Sequence, residues 1–346
     1  MKRRLQNKIA ESSATLPVAF IIMTALWWWP QHGDLIPLLL GWLTCVATTY
    51  FLLEANAKYA ILRIRTQMMS ALYLLLMAVC TFLHPMSTGN LCQLCLVIAF
   101  YCMLHTYGDS HAETHTFHAV LALSIGSLFW APLLWLMPVL LWCQTGYLRA
   151  LNLRNLGAAL CALLLPYLVW GTALTAKMSY AYLTSSAVDQ LPAIDYFQPL
   201  LHHAEQMIAP FHEPITFLNS QLTINNSFDE LRINQFFTLH SSFFIYLFAA
   251  LVVGLIGLTG FIHYLRKSYD DKIQVRMYHY SFMTVQVVVT IWMVLQPHYF
   301  HQLFPLFIAA TVPAAAHFIA LTHTWLTNAW FILLTLLLAS IFILTY

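Results

Sequence analysis

Long apolar stretches alternate with short polar segments along almost the whole chain. A helix needs roughly 20 predominantly apolar residues to cross the hydrocarbon core of a bilayer. Stretches of about this length lie near residues 15–30, 35–53, 66–83, 91–107, 156–175, 241–264, 279–296, 302–321 and 325–345. The pattern therefore predicts an all-α fold, a polytopic transmembrane helical bundle of about nine full spans, with residues 1–346 forming a single membrane domain.

One further apolar stretch, residues 118–144, is interrupted by Trp130-Ala131-Pro132 and again by Pro138. Proline breaks a helix unless neighbouring groups satisfy the freed backbone. The stretch is therefore either one tilted span or a re-entrant hairpin of two half-helices, and a hairpin brings the total to 10 or 11 helices.

Charge distinguishes these two alternatives. With a cytoplasmic N-terminus, the hairpin places the basic loops that contain Arg63, Arg149 and the run 266–276 on one side of the membrane. A single crossing at 118–144 would put the run 266–276 on the outer side, against the rule that basic loops stay inside. We therefore predict the re-entrant hairpin.

The same argument places the long loop 176–240 on the outer, periplasmic side. Within it, helical spacing separates an apolar face from a polar one. The apolar face holds Phe197, Leu200, Leu201, Ala204 and Ile208, and the polar face holds His202, His203, Glu205 and Gln206. This pattern predicts an amphipathic helix on the membrane surface, within an outer cap. A capping box at 227–230 predicts a second helix that continues into the span at 241.

Composition excludes several classes of protein. Hydrophobic residues make up 60% of the 346 positions and charged residues only 8%, whereas a soluble domain carries roughly 25% charged residues. The formal net charge of +2 provides no basic field for nucleic acid. Seven cysteines in or beside apolar segments favour packing over a disulfide framework, and the same holds for the lone C-x-x-C motif of Cys92 and Cys95.

Histidines form the densest polar group. His111, His115 and His118 are spaced at i, i+4 and i+7, so on one helix they would share a stripe that can hold a metal ion. The alternative is structural: Ser110 and Glu113 have the spacing of a capping box that starts this helix, with the histidines in water at the interface. No cofactor is identified by the sequence.

Polar residues of the predicted outer face form a second candidate site. Asp34, His202, Glu205, His212 and Arg232 supply the groups used for general-base chemistry on a sugar hydroxyl or for recognition of a lipid diphosphate. The alternative is that they are simply the water-facing side of amphipathic helices. These five residues are the predicted catalytic candidates.

The predicted span interiors hold almost no charge. His105, His263 and His317 are the nearest approach to buried titratable groups. Ion-coupled transporters usually place an ionisable group at mid-membrane, so a coupled pump is disfavoured.

Three segments carry a resemblance to a known family: Gly146–Asn155, His263–Lys272 and His317–Thr324. They resemble segments of a family of bacterial polytopic inner-membrane proteins, some of which bear a beta-carotene monooxygenase label. The resemblance implies a bacterial inner-membrane location and no particular activity, because oxygenases of that kind use a histidine-ligated iron on a soluble propeller. In architecture the chain is also similar to membrane glycosyltransferases of the GT-C type, although its first outer loop offers only Asp34.

These observations leave three hypotheses. The favoured one is a role in envelope biogenesis, in which the protein binds or processes a lipid-linked substrate, such as a glycolipid, at its outer face. The others are an uncoupled transporter or flippase of an amphiphile, and a non-catalytic subunit of a membrane complex. The expected partners are membrane lipids, a lipid-linked substrate or another membrane subunit, and no nucleic acid.

Overall fold

The computed structural model describes residues 5–29, 34–64, 66–184, 193–212 and 230–345. Within these ranges the chain forms α-helices and short 3-10 turns and no β-strand, which confirms the predicted all-α class. The helices are α1 (Leu5–Glu11), α2 (Thr15–Trp27), α3 (Leu35–Tyr59), α4 (Met68–Val79), α5 (Thr88–Leu104), α6 (Glu113–Phe129), α7 (Leu136–Gly146), α8 (Leu153–Thr184), α9 (Ala193–His212), α10 (Glu230–Lys267), α11 (Ile273–Leu295), α12 (Phe300–Leu321) and α13 (Trp325–Thr345).

Six helices in the described ranges are long and apolar enough to cross a membrane, namely α3, α8, α10, α11, α12 and α13. The prediction of about nine full spans is not confirmed. The other three apolar stretches form α2, α4 and α5, which have 13, 12 and 17 residues. At 1.5 Å per residue they measure about 18–26 Å, short of the roughly 30 Å of hydrocarbon.

Contacts among the described residues divide the chain into two compact units. The first takes residues from Met1–Val97 and Phe217–Tyr346, and the second takes residues from Ile98–Thr216. A single membrane domain therefore stays a prediction.

Helix α12 is the core of the first unit, because every residue from Leu303 to Ala320 is buried. It packs against α1, α4, α10 and α11. The contact with α10 is close at Gly260, where an added Cβ would lie 2.6 Å from the backbone of Ala314 and Ala315. Two prolines, Pro305 and Pro313, lie inside α12, a position tolerated at membrane depth where other helices cover the backbone.

Basic residues of the first unit gather at one end. The Gln6 amide of α1 donates to Thr322 Oγ1 at 2.7 Å, just after α12. The loop between α10 and α11 reaches the same end of α12 through Asp271 and His317. Lys8, Arg63 and the run 266–276 therefore share what we call the basic end of this unit.

The second unit contains the interrupted segment 118–144. Helix α6 ends at Phe129, Trp130 takes an extended conformation, and a 3-10 turn over Ala131–Trp135 leads into α7, so the predicted interruption is confirmed. The amide of Gly108 donates to the carbonyl of Leu148 at 2.9 Å. The chain thus leaves and returns at one place, as a hairpin does, while its re-entrant position in a membrane stays a prediction.

Helix α9 (Ala193–His212) confirms the helix predicted from the spacing of Phe197 to Ile208 but corrects one of its faces. His203, assigned to the polar face, is buried, and its Nε2 lies 3.2 Å from Tyr167 Oη. Leu200 and Leu201 are exposed, as an apolar face turned toward lipid requires. The side of α9 that carries His203 therefore packs against protein. The outer cap stays a prediction.

The first residues of α10 and α6 can be compared with the two predicted capping boxes. Helix α10 runs without a break from Glu230 to Lys267, which confirms that a helix beginning near residue 230 continues into the span at 241. Residues 227–229 of its predicted capping box lie outside the described residues. The predicted box of Ser110 and Glu113 is wrong, because α6 begins at Glu113 with Ala112 as its N-cap and no side-chain cap.

Candidate functional site

The five predicted catalytic residues are only partly brought together. Asp34 is exposed at the N-cap of α3 in the first unit. His202 Nδ1 and Glu205 Oε2 lie 3.8 Å apart on α9 in the second unit, and both side chains are largely exposed. His212 and Arg232 belong to α9 and α10, but their side chains lie outside the described part of the chain. Only His202 and Glu205 are shown as neighbours.

The predicted metal-binding histidines do not share one helical stripe. His111 precedes α6, while His115 and His118 lie on it. His118 Nδ1 is 2.6 Å from the carbonyl of Thr114, and the His115 ring packs on His105 with centroids 4.0 Å apart. Among the described residues, no three His, Cys, Asp or Glu side chains are grouped as a metal ion needs. The stripe is broken because the helix starts after His111.

The first unit contains an apolar groove of about 480 Å³. Side chains of α1, α2, α4, α10, α12 and α13 line it. Its polar lining residues include Lys8, Ser12 and Thr15, around the turn between α1 and α2. Val18 and Ile22, also in the lining, are 50% and 40% exposed, so the groove opens on the apolar outer surface of the unit.

A buried polar cluster lies on another side of α12. His317 Nε2 is 3.1 Å from Asp271 Oδ2, and the two side chains are only 2% and 3% exposed. Because a carboxylate only accepts, His317 Nε2 donates in this contact. His317 Nδ1 is buried and has no hydrogen-bond partner among the described residues.

A second imidazole of this cluster is His279. Its Nδ1 lies 3.2 Å from the carbonyl of Val275. Nε2 is buried and finds no partner that meets hydrogen-bond geometry in the described structure. Tyr264 stacks on His279 at 4.1 Å and meets His317 edge-on at 4.8 Å. Two imidazoles therefore flank one phenol ring.

The charge of Asp271 is stabilised by its neighbours. Burial acts to raise its pKa, but the hydrogen bond and charge of His317, together with the charges of His279 and Arg63, outweigh burial and hold the pKa of Asp271 below its ordinary value. The buried Nε of Arg276 has no hydrogen-bond partner in the described residues. The cluster thus holds an ionised carboxylate beside two imidazoles at the basic end.

Helix α12 connects the groove and the cluster. Ile319 lines the groove, and His317 belongs to the cluster two positions earlier. Two residues correspond to about 200° around an α-helix, so these side chains point to opposite sides. A shift of α12 would therefore alter both the groove and the buried polar cluster.

Sequence reasoning identified part of this arrangement. It marked His317 and His263 as nearly buried titratable groups, and their rings lie 5.7 Å apart. It missed His279 and Tyr264 as members of the cluster. A usable signal existed, because two of the three segments that carry the family resemblance begin at His263 and His317.

No protein-family model, curated protein or solved structure matches this chain. The family resemblance therefore stays a hypothesis. The described fold and site define the chain as an α-helical protein with several candidate membrane spans, an apolar groove open to its outer surface, and a buried Asp–His pair.

Proposed function

We propose that this protein binds an anionic amphiphile, a membrane lipid or a lipid-linked intermediate of envelope biogenesis, in the groove of its first unit. The observation that carries the proposal is the form of the groove: about 480 Å³ of mainly apolar space with Lys8, Ser12 and Thr15 in its lining. The volume lies within the roughly 300–1,000 Å³ of ligand pockets. The apolar chain occupies the groove, and the headgroup pairs with Lys8.

The position of the groove supports entry of the amphiphile from one particular leaflet of the membrane. Lys8 lies at the basic end, together with Arg63 and the run 266–276, and basic ends of membrane proteins face the cytoplasm. The amphiphile therefore enters from the cytoplasmic leaflet. This differs from the sequence-based expectation of a site at the outer face, built on residues 176–240.

The Asp271–His317 pair favours a second candidate function, chemistry on the headgroup. A carboxylate that orients an imidazole, whose other nitrogen has no hydrogen-bond partner among the described residues, is an arrangement used for general-base catalysis. If the protein has this second function, we expect the His317→Gln variant to retain bound substrate, because the wild-type protein converts that substrate and the variant does not. Native mass spectrometry of both proteins distinguishes conversion from binding alone, because conversion changes the mass of the retained lipid.

Binding in the groove is tested with a space-filling variant and its neighbour. Val18→Trp fills the groove from α2, whereas Ile21→Trp adds the same side chain at a position of the same helix that is 66% exposed and outside the lining. Both proteins are extracted gently, and co-purified lipid is measured by native mass spectrometry. We expect Val18→Trp alone to lose the lipid. Equal retention by both variants contradicts the proposal.

The headgroup is tested separately by charge. Lys8→Gln removes the cation of the groove lining, and Lys272→Gln removes an exposed cation from the basic end outside that lining. Phosphatidylglycerol and phosphatidylcholine, with identical chains, serve as the anionic and zwitterionic probes. We expect the preference for phosphatidylglycerol to fall several-fold in Lys8→Gln only. An unchanged preference means that the headgroup is not recognised by Lys8.

A further inference from the structure

The lining of the groove follows a regular pattern on three helices. Helices α2, α4 and α13 each contribute four residues spaced i, i+3, i+4 and i+7, which is one stripe along an α-helix. The stripes cover positions 15–22, 68–75 and 331–338. Seven positions correspond to about 10 Å along a helix axis. The three helices therefore line the groove over the same length.

All three stripes begin at the basic end. Helix α1, which carries Lys8, is tied to the start of α4 through a hydrogen bond from Thr66 Oγ1 to the carbonyl of Ala10. The backbone amide of Gln6 donates to Asn328 Oδ1 in the first turn of α13 at 3.2 Å. Helix α2 follows α1 directly along the chain. The groove therefore extends from the basic end into the apolar part of the unit.

Helices α10 and α12 give a second measure of its depth. Their close pairs are Gly257 with Thr311 and Gly260 with Ala314. Both pairs differ by 54 positions, so the two helices run parallel and Ile256 is level with position 310. Ile256 and Ile319 both line the groove, and nine positions of α12 separate their levels. This separation corresponds to about 13 Å.

The groove is shorter than one leaflet of a membrane. Half of the hydrocarbon core measures about 15 Å, and the two measures of depth are about 10 and 13 Å. Beyond the stripe of α2, Met23 and Trp27 are fully buried. Trp27 Nε1 donates to the carbonyl of Leu38 at 3.0 Å, and its ring stacks on His84. Packed side chains therefore follow the deep end of the groove along α2.

The two ends of the groove differ in chemistry. At the basic end, Lys8 and Ser12 are one helical turn apart and both are exposed. Ser12 Oγ accepts from the amide of Ala14 at 3.2 Å, which leaves its own O–H to donate. A cation beside a hydroxyl donor suits a phosphate group. At the deep end, Ile22 is 40% exposed, so a chain can leave the groove sideways there.

We propose that the groove holds one phosphate-bearing lipid of the cytoplasmic leaflet by its headgroup and the first part of its chain. The phosphate lies at Lys8 and Ser12, and about eight chain carbons, the length of the stripes, lie parallel to the helices. The rest of the chain lies in the surrounding lipid. This inference rests on the proposed function and adds the direction and depth of the ligand. A site confined to one leaflet retains its lipid there and provides no path across the membrane.

The direction is tested with hexadecyl phosphates that carry a photoreactive diazirine at chain carbon 3, 8 or 14. The full-length protein is labelled in nanodiscs of phosphatidylcholine, and mass spectrometry of its peptides locates the labelled residues. We expect carbon 3 to label the start of the stripes, near Thr15 and Met68, and carbon 8 to label their deep end, near Ile22 and Leu75. Carbon 14 should label no lining residue.

The possible failures of this experiment are distinguishable. Labelling in the reverse order, or at the same residues by all three probes, overturns the direction and depth while binding in the groove stands. Labelling of no lining residue by any probe overturns both this inference and the proposed function. Val18→Trp should lose the carbon 8 label and Ile21→Trp should keep it, and full labelling of Val18→Trp overturns the assignment to the groove.

Competition for the carbon 3 probe tests chain length and ligand source. Because the groove contacts only the first part of the chain, decyl and hexadecyl phosphate at equal mole fraction in the nanodisc should remove the label equally. Stronger competition by hexadecyl phosphate overturns the stated depth. Competition by phosphatidylglycerol identifies a phospholipid as the ligand, and competition by geranylgeranyl phosphate identifies a prenyl phosphate. Competition by neither overturns the proposal.

Discussion

Asp271 and His317 are 46 positions apart in the chain, and their side chains meet at 3.1 Å in a buried contact. The contact ties the loop between α10 and α11 to the end of the central helix α12. The acidic member stands in a run that otherwise carries mainly basic charge, residues 266–276. One carboxylate therefore anchors a cationic loop in which Arg266, Lys267, Asp270 and Lys272 are exposed.

Replacing this carboxylate should loosen the loop. Asp271→Asn keeps the shape of the side chain and removes its charge, so the hydrogen bond from His317 loses its charge assistance. We expect a loss of about 2 kcal/mol in the free energy of unfolding, a typical value for a hydrogen bond to a charged group. The neighbouring exposed Asp270→Asn is the control and should leave stability nearly unchanged. Similar thermal unfolding midpoints for both variants would show that the buried contact contributes little.

The α10–α12 contact predicts opposite effects for two glycines of the same helix. Gly260→Ala forces a methyl group to within 2.6 Å of the backbone of α12, and such overpacking costs about 1–3 kcal/mol. Gly254→Ala meets open space, so the better helix former should stabilise the protein by up to about 1 kcal/mol. Denaturation in detergent, followed by circular dichroism, measures both. A neutral Gly260→Ala is incompatible with the close approach.

Much of the fold follows from the apolar pattern, but helix length does not. The stretch 66–83 has the length of a span, yet α4 ends at Val79 and Cys80 leaves the helical region with a ψ of 82°. Hydropathy counts apolar residues and does not locate the residue at which the backbone turns. Burial adds to the ambiguity, because every α4 residue except Leu75 is buried in protein, and a buried helix needs no full membrane crossing.

The site was harder to predict for a related reason. His202 and Glu205 could be paired from helical spacing alone, because both lie on α9. The partners Tyr264, His279 and His317 come from three different helices, and sequence periodicity describes faces within one helix, not contacts between helices. His203 illustrates the limit: spacing placed it with polar neighbours, while Tyr167 draws it into a buried contact.

A substitution of Tyr167 in α8 should weaken the attachment of α9 to the second unit. Tyr167 Oη lies 2.8 Å from Ser127 Oγ and 3.2 Å from His203 Nε2, so it joins α6, α8 and α9. Tyr167→Phe removes both hydrogen bonds, and we expect hydrogen exchange in α9 to become about 5–30-fold faster, corresponding to roughly 1–2 kcal/mol of local stability. The exposed Tyr50→Phe is the control. Unchanged exchange in α9 would show that its apolar contacts alone hold it in place.

Acid should destabilise the first unit through a different histidine. His84 is fully buried, its ring stacks on Trp27 at 4.1 Å, and its Nε2 lies 3.0 Å from the carbonyl of Ala78. Burial lowers the pKa of His84 from its ordinary 6.5 to about 4, and its backbone hydrogen bonds only partly oppose this effect. The unfolded chain therefore binds a proton at a higher pH than the folded protein does.

The sign of the pH effect follows directly from this difference. Above about pH 6.5 the imidazole is neutral in both states, and between pH 6.5 and 4 only the unfolded chain gains the proton, so stability falls as pH falls. At pH 5 the loss in the free energy of unfolding is about 2 kcal/mol. Asp271 adds to the same trend at lower pH, because a carboxylate whose pKa is depressed in the folded state loses its stabilising effect when it is protonated.

The pH effect of His84 can be tested by substitution. His84→Gln keeps a hydrogen-bond donor without titrating there, so its unfolding midpoint should fall less between pH 7 and 5 than that of the wild type. The exposed His111→Gln should retain the wild-type slope, and identical slopes in all three proteins would rule out His84 as the source of the acid sensitivity.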